Sequence, residues 1–403
     1  MRKKRNLMQL NEKEIISFYQ ILEKELPDTR GKQGKKHNLP FVVTSFIIGL
    51  MTLRTNRSSV HRFMKNRFEW LCILTGHSAI CCVSYAQLGR ILRSIDCTLL
   101  SDLSFKYFGT KIEQIGAMEW SATDGKDLKG SFDSDQHASR GDVLVRLIKH
   151  STGQELGRAF YQGNKESEIN TVRNLLSDND LDKNNITLDA LHCNPDTTRQ
   201  IDGKGGHYIV RAKEEHQKEL VKDLTSKERR LHSLAHFEDL NKAHGRLEQR
   251  IYDCYHIHDE IFDKRWTKSH LRTCIVVQRN VTELKTGKTS YEKAFYISNV
   301  WLAQAPKDTQ MLQKTYFDAQ NVCDALRGHW SIESDHWVRD VSFGEDRCKT
   351  PKSQTTRALA ILRSIAIDWL KLFKPKNFKE LAEFYRDCPD SFALKLTETC
   401  FIT

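Results

Sequence analysis

Apolar positions recur at helical spacing through most of the first 110 residues. Glu12 to Glu25 reads as one helix that stops at Pro27. A polar, basic connector, Arg30-Gly31-Lys32-Gln33-Gly34-Lys35-Lys36, precedes a second helix that opens at Pro40. The longest apolar run, Phe41 to Leu53, is about thirteen residues and carries two Thr and a Ser. It is too short to span a bilayer, so a buried helix is expected and no membrane partner. Helical spacing continues through Val60-Phe63-Met64-Arg67 and Leu88-Ile91-Leu92-Ile95.

From about residue 115 the period changes from helix to strand. Met118, Trp120, Ala122 and Asp124 share one parity, which puts a carboxylate at the end of an apolar strand face. Val143 to Ile148 and Leu156 to Tyr161, split by Ser-Thr-Gly, predict a hairpin. A helix over Glu166 to Leu176, a strand Ile186 to Ala190, a further helix and a strand Tyr208-Ile209-Val210 complete a β-β-β-α-β-α-β order. That order predicts a mixed sheet covered by helices, an α/β (α+β mixed) fold. Residues 214–318 have another texture: a charged helix, Glu214 to Leu231, then strand-like segments at Leu247–Tyr255, Leu271–Gln278 and Tyr291–Ser298. Helical spacing returns near Asn321 and runs, with a break near Pro351, through Thr355 to Phe373. The expected organisation is a helical N-terminal region (1–110), a core in two parts (111–213 and 319–375), a mostly β insertion between them (214–318) and a C-terminal tail (376–403).

Composition changes this picture little. The chain carries 63 Lys and Arg against 52 Asp and Glu, a formal charge of +11, which points weakly to a polyanionic partner such as nucleic acid. The helices of the first 110 residues, with exposed Lys and Arg, suit a DNA-binding module; an ordinary helical region with solvated charges fits the composition at least as well. Eleven scattered cysteines with no paired C-x-x-C spacing read as free thiols in a reducing compartment, with no zinc site. Met1-Arg2-Lys3-Lys4-Arg5 is followed by no apolar stretch of the kind a secretory signal needs.

The candidate chemistry lies in carboxylates. Two Mg²⁺ ions about 3.5–4 Å apart can cleave a phosphodiester when acidic side chains from different elements converge on them, and Mg²⁺ takes hard oxygen ligands. Asp124, followed by Gly125, and Asp189, followed by Ala190, stand at predicted strand ends with small neighbours. Glu333 is the third candidate. On a helix, Trp330, Trp337 and Val341 form an apolar stripe with Glu333 and Asp340 along its edge, so a buried carboxylate beside two tryptophans would need a cation. The alternative is a structural ion pair of Glu333 with Arg327, Arg339 or Arg363. Asp127 and Lys129 read as solvated turn residues, His192 as a satisfied polar side chain, and His256 and His258 as strand residues that only imitate a metal pair.

Together the motifs resemble one family. Asp124-Gly125-Lys126-Asp127-Leu128-Lys129-Gly130-Ser131 resembles the DGK-x-L-(K/R)-G-S segment of H-repeat-associated, ISAs-type insertion-sequence transposases. Lys165-Glu166-Ser167-Glu168-Ile169 is similar to their K-S-N-E-I segment, and Thr187 to Cys193 to their T-x-D-A-x-H-C/T strand. Tyr208 to Lys213, with Gln217, resembles their Y-x-x-x-x-K-x-N-Q segment, and His244 to Arg250 matches HGR-x-E-x-R. Arg327 to Glu333, His336-Trp337, Asp340-Val341 and Glu345-Asp346 resemble the R-x-HW-x-IE … HW-x-x-DV-x-x-x-ED block. The resemblance spans about residues 20–370 in colinear order. It implies an RNase H-like core of the DDE type, with Asp124, Asp189 and Glu333 as catalytic and metal-holding residues, and Mg²⁺, or Mn²⁺ as substitute. The implied activity is DNA cleavage and strand transfer at the ends of an insertion sequence. Lys126, Lys129, Lys213, His244, Arg246 and Arg327 are then candidates for phosphate contacts, and His329, His336 and Asp340 for supporting roles. Implied partners are double-stranded DNA and a second copy of the chain on it, in a bacterial cytoplasm at the nucleoid. A domesticated transposase kept as a DNA-binding protein, or a nuclease without strand transfer, is the alternative.

Two departures stand out. Two residues separate Glu333 from His336 where the family pattern has three, which marks a subgroup or an altered helical turn. The Y-R-E-K signature of related transposases is also unmet, with Leu326, His329 and Asp340 at its positions. A hairpin intermediate, with Trp266 or Trp301 stacked on a flipped base, competes with plain core packing of those tryptophans.

Overall fold

Asn38 and Pro40 start the long apolar helix where the sequence predicts it. The Asn38 side chain accepts from the Phe41 N–H at 2.7 Å, and proline in the first turn forfeits no hydrogen bond. Every residue of this helix, α2 (Leu39–Met51), is buried, as a helix apolar on all sides requires. The structure is a computed structural model that describes residues 12–109, 119–131, 141–162, 165–243, 245–257, 264–303, 316–350, 353–373 and 375–387.

Around α2 stand α1 (Glu12–Glu25), α3 (Arg57–Asn66), α4 (Phe68–Thr75), α5 (Tyr85–Ser94) and α6 (Cys97–Gly109). The sheet follows: β1 (Trp120–Asp127), β2 (Val143–Lys149), β3 (Glu155–Tyr161), α7 (Lys165–Asp178), β4 (Asn185–Leu188), α8 (Pro195–Gly203) and β5 (His207–Ala212). Next come α9 (Glu214–Glu228) and four long strands, β6 (Ala235–Ala243), β7 (Arg246–His256), β8 (Thr273–Glu283) and β9 (Thr289–Ser298). A short parallel pair, β10 (Trp301–Leu302) and β11 (Tyr316–Phe317), leads to α10 (Ala319–Gly328), α11 (Trp330–Trp337), α12 (Ser353–Leu372) and α13 (Phe378–Asp387).

The strand order is β3-β2-β1-β4-β5-β9-β8-β7-β6. Its first five strands, with β1, β4 and β5 mutually parallel and β2 antiparallel to β1, form the expected RNase H-like mixed sheet. Alternate residues face opposite layers. Val143, Val145, Leu147, Ile186, Leu188 and Val210 pack with α7, α8 and α9, whereas Trp120, Ala122, Leu144 and Ile209 face the C-terminal helices. The sheet continues beyond β5 because β9 pairs antiparallel with it. β6 was not foreseen: its residues alternate between exposed and half-buried, so it lacks the apolar run that marks a strand.

α12 joins the two halves. Ile361, Leu362, Ile365 and Trp369 share one core with Phe18, Phe46, Leu88 and Phe108 of the N-terminal helices, while Ala360 packs on Leu128 and Leu144 of the sheet side. No helix among the described residues is long and apolar enough to cross a membrane.

Candidate active site

Strand register sets the first two carboxylates side by side. Ala122 lies opposite Thr187 and Thr123 opposite Leu188 in the parallel β1–β4 pair, so Asp124 and Asp189 follow at the next level. Asp189 leaves the strand at once and accepts the Leu191 N–H at 3.0 Å, which starts a 3-10 turn. Asp124 is not at its own strand's end, as the pattern suggested; β1 runs on to Asp127 against β2. Its parallel neighbour stops there instead, and that opens the space over it.

Glu333 arrives on α11. Ile332, fully buried, packs against Ala122 and Ile148 and seats the helix on the sheet. His329, at the junction of α10 and α11, is fixed to β4 through the Thr187 hydroxyl at 2.9 Å, and His150 reaches the same oxygen at 3.0 Å. Thr187 Oγ1 donates to Ser121 O at 3.2 Å, so both imidazoles donate to it. Burial pushes His150 down to about 3 and lowers His329 as well. The approach is close: a Cβ on Gly328 would lie 2.4 Å from His150 Nδ1.

The result is a group of like charges. Burial, then the carboxylate of Asp189, then those of Glu168 and Glu333, push the Asp124 carboxyl up to about 7, against one opposing hydrogen bond from the Gly125 N–H. Glu168, from α7, is buried and accepts from Tyr161 OH at 2.6 Å. His336 Nδ1 lies 3.9 Å from Asp124 Oδ2, and burial pushes its ring down to about 3. His192, expected to be a satisfied side chain, is fully buried, and neither ring nitrogen has a hydrogen-bond partner among the described residues. Its Nε2 stands 3.8 Å from Asp189 Oδ1 and 3.9 Å from Glu168 Oε1. Among the described residues no three His, Cys, Asp or Glu side chains already converge at ligand distance. The hard oxygen donors and the like-charge stress on Asp124 nevertheless fit a divalent cation.

Helix α11 is turned differently from the expected orientation. The Trp330, Trp337 and Val341 stripe faces outward, at 50%, 60% and 52% exposure, and Glu333 is exposed with it. The buried side is polar instead. Asp335 pairs with Arg146, with Lys371 at 2.7 Å and with Arg339 at 3.1 Å, and these cations hold its carboxyl well below the usual range although burial opposes them. An isolated buried charge is costly, and three paired cations remove that cost. None of the three arginines proposed as partners of Glu333 pairs with it: Arg327 is on Asp239, and Arg339 and Arg363 are on Glu345. After Trp337 the helix widens into a π turn over Val338–Ser342.

The expected phosphate contacts scatter. Lys126 is an internal cation rather than an outward one: it is 6% exposed, with its ammonium 2.7 Å from Asp340 and 3.2 Å from Asp346. Asp340 therefore holds Lys126 and is not one of the carboxylates pressing on Asp124. Lys129 is exposed and bonds Asp346 at 2.8 Å. Lys213 is half-buried between β5 and α9, and Gln217 donates to Cys193 O at 2.8 Å to brace the turn after Asp189. His244 lies outside the described residues, as does His258. Arg246 is exposed but distant. Register carries the level of Leu188 through Val210, Ile297 and Cys274 to Tyr255. Arg246 is nine residues further up β7, roughly 30 Å at about 3.3 Å per residue.

What pattern reading missed is an arginine face nearer the site. Arg211 on β5, Arg250 and Arg279 on β7 and β8, and Arg327 on α10 line a cavity of about 90 Å³ with Tyr252, Tyr296, Trp330 and Glu292. Each arginine is paired with a carboxylate of Glu292, Glu248 or Asp239. The Arg279 guanidinium lies 5.7 Å from the centre of the Trp330 ring. Arg211, Arg250 and Arg279 come together only through the pairing of β5, β9, β8 and β7, which no local pattern specifies. Trp266 and Trp301 are buried at 1% and 8%, so core packing accounts for both; Trp301 lies against His256 and Arg272.

Comparison with known proteins gives the family. Residues 138–369, more than half of the chain, match the family described as "Transposase DDE domain". The chain belongs to the DDE transposases. Asp189 and Glu333 fall inside the matched span and Asp124 just before it. Among its relatives, YncI of Escherichia coli O157:H7, named as a candidate transposase, is 24% identical over 86% of this chain and 85% of its own length. YbfL of Escherichia coli K12 is 28% identical over 63% of this chain and 65% of its own length. YhhI of the same strain, named as an H repeat-associated candidate transposase, is 26% identical over the same shares. The likeness to H-repeat-associated transposases drawn from the motifs is thereby borne out.

Proposed function

We propose that this DDE transposase cuts DNA at the ends of its insertion sequence and joins the freed 3′ ends to target DNA, with Asp124, Asp189 and Glu333 holding two Mg²⁺ ions. The observation that carries this reading is the strand register that sets Asp124 and Asp189 side by side, on β1 and the end of β4. There burial, then the charges of Asp189, Glu168 and Glu333, push the Asp124 carboxyl up. Bound there, divalent ions supply charge neutralisation and Lewis acidity for phosphodiester chemistry, and Mn²⁺ can replace Mg²⁺.

The protein's own part is to hold the oxygens and the DNA. Asp189 is oriented by the Leu191 N–H, Asp124 by the Gly125 N–H at 2.8 Å, and Glu333 by the seating of α11 through Ile332 and His329. His336 stays neutral beside Asp124 and adds no positive charge that would compete with a cation. Lys129 and Arg327 remain candidates for phosphate contacts, and Arg211, Arg250 and Arg279 join them. The tip of β7, with Arg246, would reach duplex well away from the cleavage point. Double-stranded DNA is thus the substrate, and because an element has two ends, one copy on each gives a homodimer on DNA.

The test uses DNA carrying the element's ends with Mg²⁺. Asp124→Asn, Asp189→Asn and Glu333→Gln should each lower end cleavage by about a thousandfold or more while DNA binding survives. Normal cleavage by all three variants would rule the reading out. Cleavage with no joined product in a strand-transfer assay would leave a nuclease instead.

A further inference from the structure

One carboxylate near the site has no part in the three-residue set. Glu168 belongs to the Lys165–Ile169 segment and lies on α7, across the sheet from α11. It is 6% exposed. Its two oxygens are in different situations. Oε2 accepts from Tyr161 OH at 2.6 Å, while Oε1 points towards β1, where a Cβ on Gly125 would come within 2.8 Å of it. With glycine after Asp124 the Glu168 carboxylate sits there unhindered; any side chain would make it shift. The charge of Glu168 reaches Asp124 alongside those of Asp189 and Glu333.

His192 supplies a separate indication. Its ring is 0% exposed, neither nitrogen has a hydrogen-bond partner among the described residues, and Nε2 faces both Asp189 Oδ1 and Glu168 Oε1 from just under 4 Å. A buried imidazole has at least one N–H, and native structures seldom leave such a donor unmet. The two carboxylates it faces come from different elements, α7 and the end of β4. A cation between the carboxylates would draw them together and fix one of them for His192 to donate to, as residues behind a metal site orient its ligands.

We propose that Glu168 is a fourth carboxylate of the metal centre, offering Oε1 to a divalent ion shared with Asp124 while Tyr161 holds Oε2 and His192 backs the Asp189 side. This rests on the metal-dependent reading above. A surplus of hard oxygens from four elements suits a site that must hold two divalent ions.

The experiment is Mn²⁺ binding to the metal-free full-length protein, followed by the loss of the free-ion EPR signal, on wild type, Glu168→Gln, Tyr161→Phe and Asp124→Asn. Glu168→Gln should weaken Mn²⁺ binding at least tenfold and shrink the rise in Tm that Mn²⁺ produces, with the metal-free Tm unchanged or higher. Should Glu168→Gln fail to fold, Tyr161→Phe keeps the carboxylate, frees Oε2, and should weaken binding by several-fold. Wild-type Mn²⁺ affinity in a folded Glu168→Gln, or in Tyr161→Phe if that variant must stand in, overturns the proposal. If Asp124→Asn loses binding in the same series, the metal-dependent reading stands and only the role of Glu168 falls. If Asp124→Asn also binds normally, both fall.

Discussion

Glu333 and Asp335 are two residues apart on one helix and meet opposite electrical surroundings. Asp335 is buried among Arg146, Arg339 and Lys371 and is held strongly ionised. The charge of Glu333 instead reaches Asp124, which burial and the charges of Asp189, Glu168 and Glu333 push up to about 7. The two groups are neighbours in the sheet, because Arg146 of β2 lies opposite Asp124 of β1 in the strand register. Charges behind α11 are neutralised by the protein itself, so they are framework. Charges in front of it are left for something else to neutralise, as expected where a cation is the ligand.

The sharpest way to break this comparison is to delete the framework acid. Asp335→Ala removes the one acid that Arg146, Arg339 and Lys371 share. It leaves Arg339 to Glu155 and Glu345 and Lys371 to Asp368, while buried Arg146 loses its ion pair. The change should cost about 3–5 kcal/mol, seen as a lower midpoint in urea unfolding. A small loss, under about 1 kcal/mol, would mean that the pairs behind α11 are not what seats it.

Deleting an acid on the front side should do the reverse. Asp124 has a folded pKa of about 7 against an ordinary value of 3.8, so the folded state prefers it protonated. Below about pH 4 both states carry the proton and nothing is lost. As pH rises from 4 to 7 the unfolded state ionises first, so stability falls across that window and then levels. Three units correspond to about 4 kcal/mol, and partial exposure reduces this to on the order of 2. Metal-free Asp124→Asn should therefore be more stable than wild type by about that much at pH 8 and equal to it at pH 4. Asp335 behaves oppositely: its stabilisation is present above the usual carboxylate range and disappears as pH falls below it. Thermal melts at both pH values with and without Mn²⁺ separate the two, since the ion should restore wild type and leave Asp124→Asn nearly unmoved.

The smallest effect concerns the joint between the regions. Thr187→Val removes the oxygen to which His150 and His329 both donate. The expected loss is about 1–3 kcal/mol, from two buried donors left unmet. Cleavage should fall with it as the seating of Glu333 loosens. Unchanged cleavage with reduced stability would show that Ile332 alone seats the helix.

Much of this was legible in the chain. The parity of Trp120, Ala122 and Asp124 marked the sheet face, the β-β-β-α-β-α-β order marked the mixed sheet, and the change of texture at 214 marked the long strands that extend it. Those signals are local: they depend on period and on neighbours within a few residues. The orientation of α11 was not legible, since Trp330, Trp337 and Val341 form as good an apolar stripe as any buried one. They face out because the opposite side carries Ile332, Asp335 and Arg339, whose partners come from β2, β1 and α12.

By itself, then, the sequence determined most of the secondary elements, β6 excepted, their order and the identity of Asp124, Asp189 and Glu333 as candidate acids. Only the tertiary structure decided which charges are satisfied. Lys126 looked like a phosphate contact until Asp340 and Asp346 closed on it, Asp335 drew no attention until three cations surrounded it, and Glu168 was one motif letter until Gly125 made room for its oxygen. Whether a buried charge is framework or site depends on partners brought from distant parts of the chain, and their distances are set by packing, not by period.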